Sequence, residues 1–362
     1  MQDESDHFEP QLDPRTRFDE EKQKTPRKRK YTLLVTSLLV LFALWSAAWY
    51  AGFTVANKAA DRIVSLQIRD QSLLTCADRE VGGYPFSLSV GCSSYRLSDP
   101  RTGLIVEGTN AETDWHVYTP HLAYIKTAPN IHFKHAQLDQ GLDISASDIS
   151  GLVHLDPFKL VRQISFRAQD ATLKPSDEKL KQFTGDMTAK ELTIRVQPKP
   201  DHEQDLNLSF AASELSMGQI PVVTGELSLT AANGVDAIAQ LSGNPVRIWL
   251  EQSGELKDVK GWLEIGRKTL KLDGALSIDE KGMANGTMIL RILNPSMDDM
   301  QLTQSQAAPA KRDNYDGLLT AIQLMGKPVQ EGNLVGSEIA ISIVKGKIKA
   351  GMLPLGSLPA IR

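Results

Sequence analysis

Residues 192–197 read LTIRVQ, an unbroken alternation of apolar and polar side chains. Successive side chains of a β-strand point to opposite faces of a sheet, so this pattern predicts a strand with one apolar and one polar face. Similar alternation recurs in the segments 206–210, 227–230, 270–278, 288–292 and 339–343. We therefore predict that most of the chain from Cys76 onward forms β-sheet.

The connections between these segments are short, which favours antiparallel pairing because parallel strands need long crossovers. Turn-forming residues occur at Asp99-Pro100, Pro198 with Pro200, Asn233-Gly234, Gly243-Asn244-Pro245 and Asn285-Gly286. Few segments have a helical pattern, and after the N-terminal region these are 156–162, 176–183 and 313–325, the last of them preceded by a loose connector at 301–311. The expected fold is α+β, mostly antiparallel β, with an extended or curled sheet.

A sheet with one apolar face has to cover that face with helices, fold on itself or leave a groove. Helices are scarce in this sequence, so the face is expected either to enclose a closed core or to form a groove that binds an apolar ligand. The sequence leaves both alternatives open. The residues expected on this face are Leu192, Ile194, Leu206, Leu208, Leu227, Leu229, Leu270, Leu272, Leu290, Ile341 and Ile343.

The N-terminal region contains an almost unbroken apolar run at 31–56. About 24 helical residues reach ~36 Å, which is enough to cross ~30 Å of hydrocarbon. Basic residues are concentrated at 22–30 and are expected to stay on the cytoplasmic side. The prediction is a disordered cytoplasmic tail at 1–30, a transmembrane helix at 31–56, a helical stalk at 57–75 and an exported β-rich domain at 76–362. A cleaved signal peptide is the alternative, although this run is longer than a usual signal sequence core.

The chain has two cysteines, Cys76 and Cys92, and both lie in the part predicted to be exported. An oxidising compartment favours a disulfide between them. Gly82-Gly83 between them is typical of a turn, and a hairpin would bring the two cysteines within disulfide distance. A redox pair or a metal site is the rival interpretation, although the CxxC spacing is absent.

The sequence contains no motif that points to catalysis or to a cofactor. The net charge of -4 and an aromatic content of 6% argue against nucleic-acid binding. His132 and His135 would point to opposite faces of a strand, so no metal site is expected there. The leading prediction is a non-enzymatic protein, and the alternative is a hydrolase whose site is assembled from distant residues.

The segment from Cys76 to Phe86 reads CADREVGGYPF and is followed by Cys92. It resembles the hallmark of the family catalogued as domain of unknown function 2125. The residues that carry the resemblance are Arg79, Glu80, Gly82, Gly83, Tyr84, Pro85 and Phe86. The resemblance extends over about residues 49–362 and implies a single anchor, a β-rich body and a terminal strand near 353–359. It implies no activity.

The family occurs mainly in alphaproteobacteria, so the resemblance implies an inner-membrane anchor with the bulk of the protein in the periplasm. The expected architecture is also similar to that of AsmA-like envelope proteins, which are anchored β-sheets with an apolar groove linked to lipid traffic. That similarity is an analogy of fold alone. The expected function is that of a single-pass envelope protein that binds a lipid or a partner protein through its sheet.

Overall fold

The structure is a computed structural model that describes residues 27–68, 71–119, 121–135, 141–156, 162–176, 181, 185–218, 220–240, 243–295, 325–351 and 353–360. The chain divides into two compact units, residues 1–52 and residues 53–362. The tail predicted at 1–30 lies almost wholly outside the described residues. The helices predicted at 156–162, 176–183 and 313–325 and the connector at 301–311 lie outside them as well, apart from a few terminal positions.

The first element is helix α1, Arg27–Val64, which contains the apolar run. Its segment Tyr31–Arg62 is long and apolar enough to cross a membrane. The stalk predicted at 57–75 is helical only as far as Val64, because the chain then forms the short antiparallel pair β1 (Gln67–Ile68) and β2 (Gln71–Ser72).

Within the described residues, nineteen further strands belong to one sheet, and every pair of neighbouring strands in it is antiparallel. The strands before residue 180 are β3 (Leu74–Ala77), β4 (Glu80–Gly82), β5 (Ser87–Asp99), β6 (Leu104–His116), β7 (Leu122–Thr127), β8 (Asn130–Lys134), β9 (Leu142–Ser145), β10 (Asp148–His154) and β11 (Gln163–Pro175). The remaining strands are β12 (Met187–Lys199), β13 (His202–Met217), β14 (Ile220–Ala231), β15 (Glu255–Ile265), β16 (Lys268–Ile278), β17 (Ala284–Pro295), β18 (Lys327–Glu331), β19 (Leu334–Val344), β20 (Lys347–Ala350) and β21 (Leu353–Ser357).

The sheet is a meander, so most strands pair with the strands that precede and follow them in the chain. The strands β11 to β17 pair consecutively along long registers. At four positions two shorter strands share one long neighbour: β3 and β4 lie along β5, β7 and β8 lie along β6, β9 and β10 lie along β11, and β18 and β20 lie along β19. The predicted mostly antiparallel α+β class is confirmed.

Two short helices lie between β14 and β15, namely α2 (Gly234–Ala239) and α3 (Pro245–Gln252). The residues Asn233-Gly234 and Gly243-Asn244-Pro245 were expected to form turns, but each group begins a helix instead. The Asn244 side chain accepts hydrogen bonds from the backbone N–H groups of Val246 and Arg247, and Pro245 occupies the first helical position. The predicted turn at Asn285-Gly286 is wrong, since both residues lie inside β17.

The sheet is curled, as a contact between its two halves shows. Arg101, in the turn between β5 and β6, donates a 2.9 Å hydrogen bond to the carbonyl oxygen of Gln240, which follows α2. In a flat sheet β6 and β14 would be six strand spacings apart, or about 29 Å. Arg101 is also bonded to Asp99 at 2.9 Å, and both side chains are mostly buried. This clasp therefore joins distant strands across the curl.

Candidate apolar groove and Cys-bridged hairpin

One row of apolar residues crosses the middle of the sheet, perpendicular to the strands. The registers place Phe166, Ile194, Phe210 and Leu227 directly opposite one another on four consecutive strands. These four side chains are 38–44% exposed although they lie on central strands. The same row continues through Gly261, Leu272 and Leu290 on the next three strands.

Small residues occupy several positions of this apolar face and form the floor of a depression in it. A second row, two residues along, contains Leu192, Ala212, Gly225 and Leu263, so its two middle positions, on β13 and β14, are small. A Cβ atom on Gly261 would lie 3.3 Å from Cδ1 of Leu227 and 3.9 Å from Cβ of Leu272. These two leucines therefore stand over a position that has no side chain. The result is a groove of about 490 Å³ that extends from β12 to β17.

The residues predicted for the apolar face fall into three groups. The residues that line the groove are Leu192, Ile194, Leu227, Leu270, Leu272 and Leu290. Leu208 and Leu229 face each other in the next row, where they are half-buried and do not line it. Ile341 and Ile343 belong to a closed core, and Leu206 is also buried. The two alternatives left open by the sequence, groove and closed core, thus occur side by side.

Helix α3 covers the closed end of the face. Trp249 and Leu250 pack against the buried cluster that contains Ile278 and Ile343. The indole N–H of Trp249 donates a 2.9 Å hydrogen bond to the carbonyl oxygen of Ala232, which fixes the helix onto the end of β14. At the end of the groove away from α3, the lining residues are Leu215 and Val223.

The opposite face of the same strands is polar. On β17, Arg291 pairs with Glu338 of β19 at 2.8 Å and with Asp273 of β16 at 3.1 Å, while Glu331 of β18 pairs with Lys271. The hydrogen bond from Lys271 lowers the pKa of Glu331, and the hydrogen bond to Glu338 raises the pKa of Arg291. These side chains form a network of ion pairs on the polar side of β16 to β19.

The Cys-bridged hairpin is formed by β3 and β4 on one side and β5 on the other. Cys76 and Cys92 form a disulfide with a Cα–Cα distance of 5.3 Å, which confirms the predicted bridge. The two cysteines are not in register, since Cys76 lies opposite Tyr95. Asp78, whose φ is 45°, interrupts the ladder between β3 and β4, and the register with β5 is the same on both sides of it.

Gly83 is required at the tip of this hairpin. Its φ is +101°, and a Cβ atom there would lie 2.7 Å from the carbonyl oxygen of Ser87. The N–H and the hydroxyl group of Ser87 both donate to the carbonyl oxygen of Gly83, at 2.9 and 3.1 Å. At the base, Arg79 forms a 2.7 Å ion pair with Asp61 of α1. The motif residues therefore build a tight turn that is tied to the helix.

The polar residues of the described chain do not form a catalytic site that we can recognise. The arrangement most similar to a Ser-His-Asp triad is formed by His132, Asp143 and Ser176. His132 lies 2.7 Å from Asp143, and the Ser176 hydroxyl donates a 3.4 Å hydrogen bond to the same carboxylate. A serine nucleophile needs its hydroxyl against the histidine, whereas here both groups bond the same carboxylate. In the described residues, no group of three or more His, Cys, Asp or Glu side chains is placed to hold a metal ion.

A family model described as "Uncharacterized protein conserved in bacteria (DUF2125)" matches residues 49–359. The chain belongs to the DUF2125 family. No curated protein and no solved structure matches it. The matched region contains both the Cys-bridged hairpin and the groove, so both are features of the DUF2125 part of the chain.

Several groove residues of this DUF2125 protein were not predicted. Phe210, Gly225 and Gly261 line the groove, and Phe166 extends the exposed row onto β11 beside it. Ile164, Phe166 and Ala168 alternate with polar residues and could have been found by the same rule as residues 192–197. The two glycines carry no hydrophobic pattern, so only the strand register reveals them.

Proposed function

We propose that this DUF2125 protein is a non-enzymatic, single-pass protein of the inner membrane that binds a lipid acyl chain in the groove of its periplasmic sheet. The observation that carries the proposal is the row of exposed apolar side chains on central strands, above a floor of small residues. Monomeric proteins rarely expose contiguous apolar surface without a binding role.

The dimensions of the groove suit an acyl chain. Six strands at about 4.8 Å spacing give a length of about 24 Å, whereas one acyl chain occupies half of a ~30 Å bilayer core, about 15 Å. The volume of about 490 Å³ lies within the usual range for small-molecule sites. At about 0.8 kcal/mol per buried methylene, ten methylenes would contribute about 8 kcal/mol before the cost of ordering the chain.

The periplasmic placement is supported by two features of the chain. The basic residues at 22–30 precede the apolar helix, which supports a cytoplasmic N-terminus. The Cys76–Cys92 disulfide suits an oxidising compartment on the other side. A protein partner for the sheet is less favoured, because the groove volume of about 490 Å³ is in the range of small-molecule sites.

The test uses a phospholipid with a photoreactive diazirine in its acyl chain. The full-length protein in detergent is irradiated with this lipid, digested, and the cross-linked peptides are mapped by mass spectrometry. We expect cross-links in β12 to β15, and in α1 as an internal standard for lipid around the anchor. Ile194→Asp should abolish the sheet cross-links and leave those in α1.

Val335→Asp is the matched control, because Val335 is a similarly exposed apolar strand residue that does not line the groove. It should leave both sets of cross-links intact. If the wild-type protein is labelled only in α1, or if Ile194→Asp leaves labelling of β12 to β15 intact, the groove does not bind acyl chains.

A further inference from the structure

One pair of residues marks the place where the apolar face of β15 and β16 ends. Leu263 lies opposite Leu270 in the lining of the groove, and the next pair on the same face is Ile265 opposite Lys268. Ile265 also lies opposite Val223, which lines the groove at the end away from α3. Lys268 is therefore a cation on the groove face, two strand residues or about 7 Å beyond Leu270.

The alternation of the two strands separates Lys268 from the polar face. Glu264 and Lys271 are the charged residues nearest to it within β15 and β16, and both belong to the opposite face, where Lys271 pairs with Glu331. The Lys268 side chain is half-buried. A lysine in such a position lays its aliphatic stem along apolar surface and keeps its ammonium group at the polar border. The groove thus has a positive charge at one of its borders.

The turn between β15 and β16 adds a second cation. It consists of Gly266 and Arg267, and we call these two residues together with Lys268 the basic turn. Arg267 is exposed and forms no hydrogen bond or ion pair with the described part of the chain. A Cβ atom on Gly266 would meet no atom within 4 Å, so no described residue fills the space beside this position. A polar group of a ligand therefore has room beside the turn.

The position of α3 favours this border for the head group of an amphiphilic ligand. α3 covers the apolar face near Ala232, whereas the basic turn lies at the end away from it, next to Val223. A head group at that end lies beside two positive charges. Lysine and arginine donate charge-assisted hydrogen bonds to carboxylate and phosphate oxygens, and these bonds are about twice as strong as those between neutral groups.

We infer that the basic turn binds the anionic head group of the lipid, with its carboxylate or phosphate beside Arg267 and Lys268 and its acyl chain in the groove. The inference rests on the proposed function, because it requires an acyl chain in the groove. It adds the class of lipid, since the basic turn favours an anionic lipid over an uncharged lipid with the same chain.

The test compares three probes that share one diazirine-labelled acyl chain: a free fatty acid, phosphatidic acid and the uncharged diacylglycerol. The full-length protein in a non-ionic detergent is titrated with each probe at neutral pH and irradiated, and labelled peptides of β12 to β15 are quantified by mass spectrometry. Half-maximal labelling by at least one anionic probe should need about tenfold less probe than labelling by diacylglycerol, the factor expected for a hydrogen bond to a charged group. The anionic probe that is preferred identifies the head group as carboxylate or phosphate.

The double variant Arg267→Gln/Lys268→Gln removes both charges of the basic turn. It should lose the preference for the anionic probe and keep the labelling by diacylglycerol, which shows that the groove is intact. Lys268→Gln alone should weaken the preference in the same direction. The matched control is Arg195→Gln/Lys260→Gln, which removes one arginine and one lysine from exposed positions on the polar face of β12 and β15 and should keep the preference.

Three results would overturn the inference and leave the acyl-chain proposal in place: equal labelling of β12 to β15 by all three probes, an unchanged preference in the double variant at 267 and 268, or an equal loss of preference in the control. If none of the probes labels β12 to β15, the groove does not bind acyl chains, and the proposed function and this inference fail together.

Discussion

Two isoleucines on the same apolar face allow the boundary between groove and core to be measured. Ile343 is 2% exposed in the closed core, whereas Ile194 is 44% exposed in the groove. Replacing a fully buried isoleucine with alanine leaves a cavity and costs about 2–5 kcal/mol. At Ile194 the three lost carbons are only about half buried and no closed cavity results, so at ~0.8 kcal/mol per carbon the cost is about 1 kcal/mol.

The assay is urea-induced unfolding of the full-length protein in detergent, followed by tryptophan fluorescence. Trp249 packs against the core that contains Ile343, so it reports on the unfolding of that core. The midpoint shift multiplied by the m-value gives the change in the free energy of unfolding. Cross-linking with the diazirine lipid is measured on the same samples without urea. Ile194→Ala should weaken the sheet cross-links, and Ile343→Ala should not.

Equal destabilisation by the two substitutions would refute this division of the face. It would mean that Ile194 is as well packed in solution as Ile343 and that the face is a continuous closed core. A large loss of stability for Ile194→Ala with no change in cross-linking would lead to the same conclusion, and the acyl-chain proposal would then lose its site.

Four further predictions follow from the described contacts. Cys76→Ser should lower the free energy of unfolding by about 3 kcal/mol, the value for closing a loop of this length, measured by urea unfolding against the oxidised wild type. Burial raises the pKa of Asp99, but the hydrogen bonds and charge of Arg101 outweigh it and hold the pKa below 3.8, so this stabilisation is present above that pH and is lost in stronger acid. Asp99→Asn should therefore lower the urea midpoint at neutral pH and reduce its loss on acidification, and an unchanged pH profile would contradict the clasp. Gly261→Leu should fill the groove and abolish lipid cross-linking without unfolding, because its backbone is in an ordinary strand conformation. A reporter that fluoresces only in the cytoplasm should be dark when fused after Arg362, and a bright fusion would reverse the topology.

The strands could be predicted because their information is local. The alternation at 192–197 occurs in a strand paired on both sides, where each face meets one kind of environment. β15 has no such uniform alternation, because Asp258 adopts a φ of 50° and the register shifts between Leu256 and Val259. This bulge shifts which positions of the strand face the apolar side. A strict period of two therefore does not identify the apolar-face residues on both sides of the bulge.

The two short helices could not be distinguished from turns in the sequence. Asn233 and Asn244 are common both in turns and before helices, and α2 and α3 have only six and eight residues. Trp249 of α3 packs against the core around Ile343, which lies far along the chain, and α2 contacts β13. Tertiary packing therefore decides their conformation, and no local pattern contains that information.

The position of the groove follows from where these helices are inserted. Every strand from β12 to β17 presents the same apolar face. In the described part of the chain, α2 and α3 cover the end of that face near Ala232, because they connect β14 to β15 at that end. The rows beyond reach of α3 keep Ile194, Phe210 and Leu227 exposed, and Gly261 removes the side chain that would have filled the space between Leu227 and Leu272. The short insertion, together with the small residues of the floor, therefore leaves the groove open among the described residues.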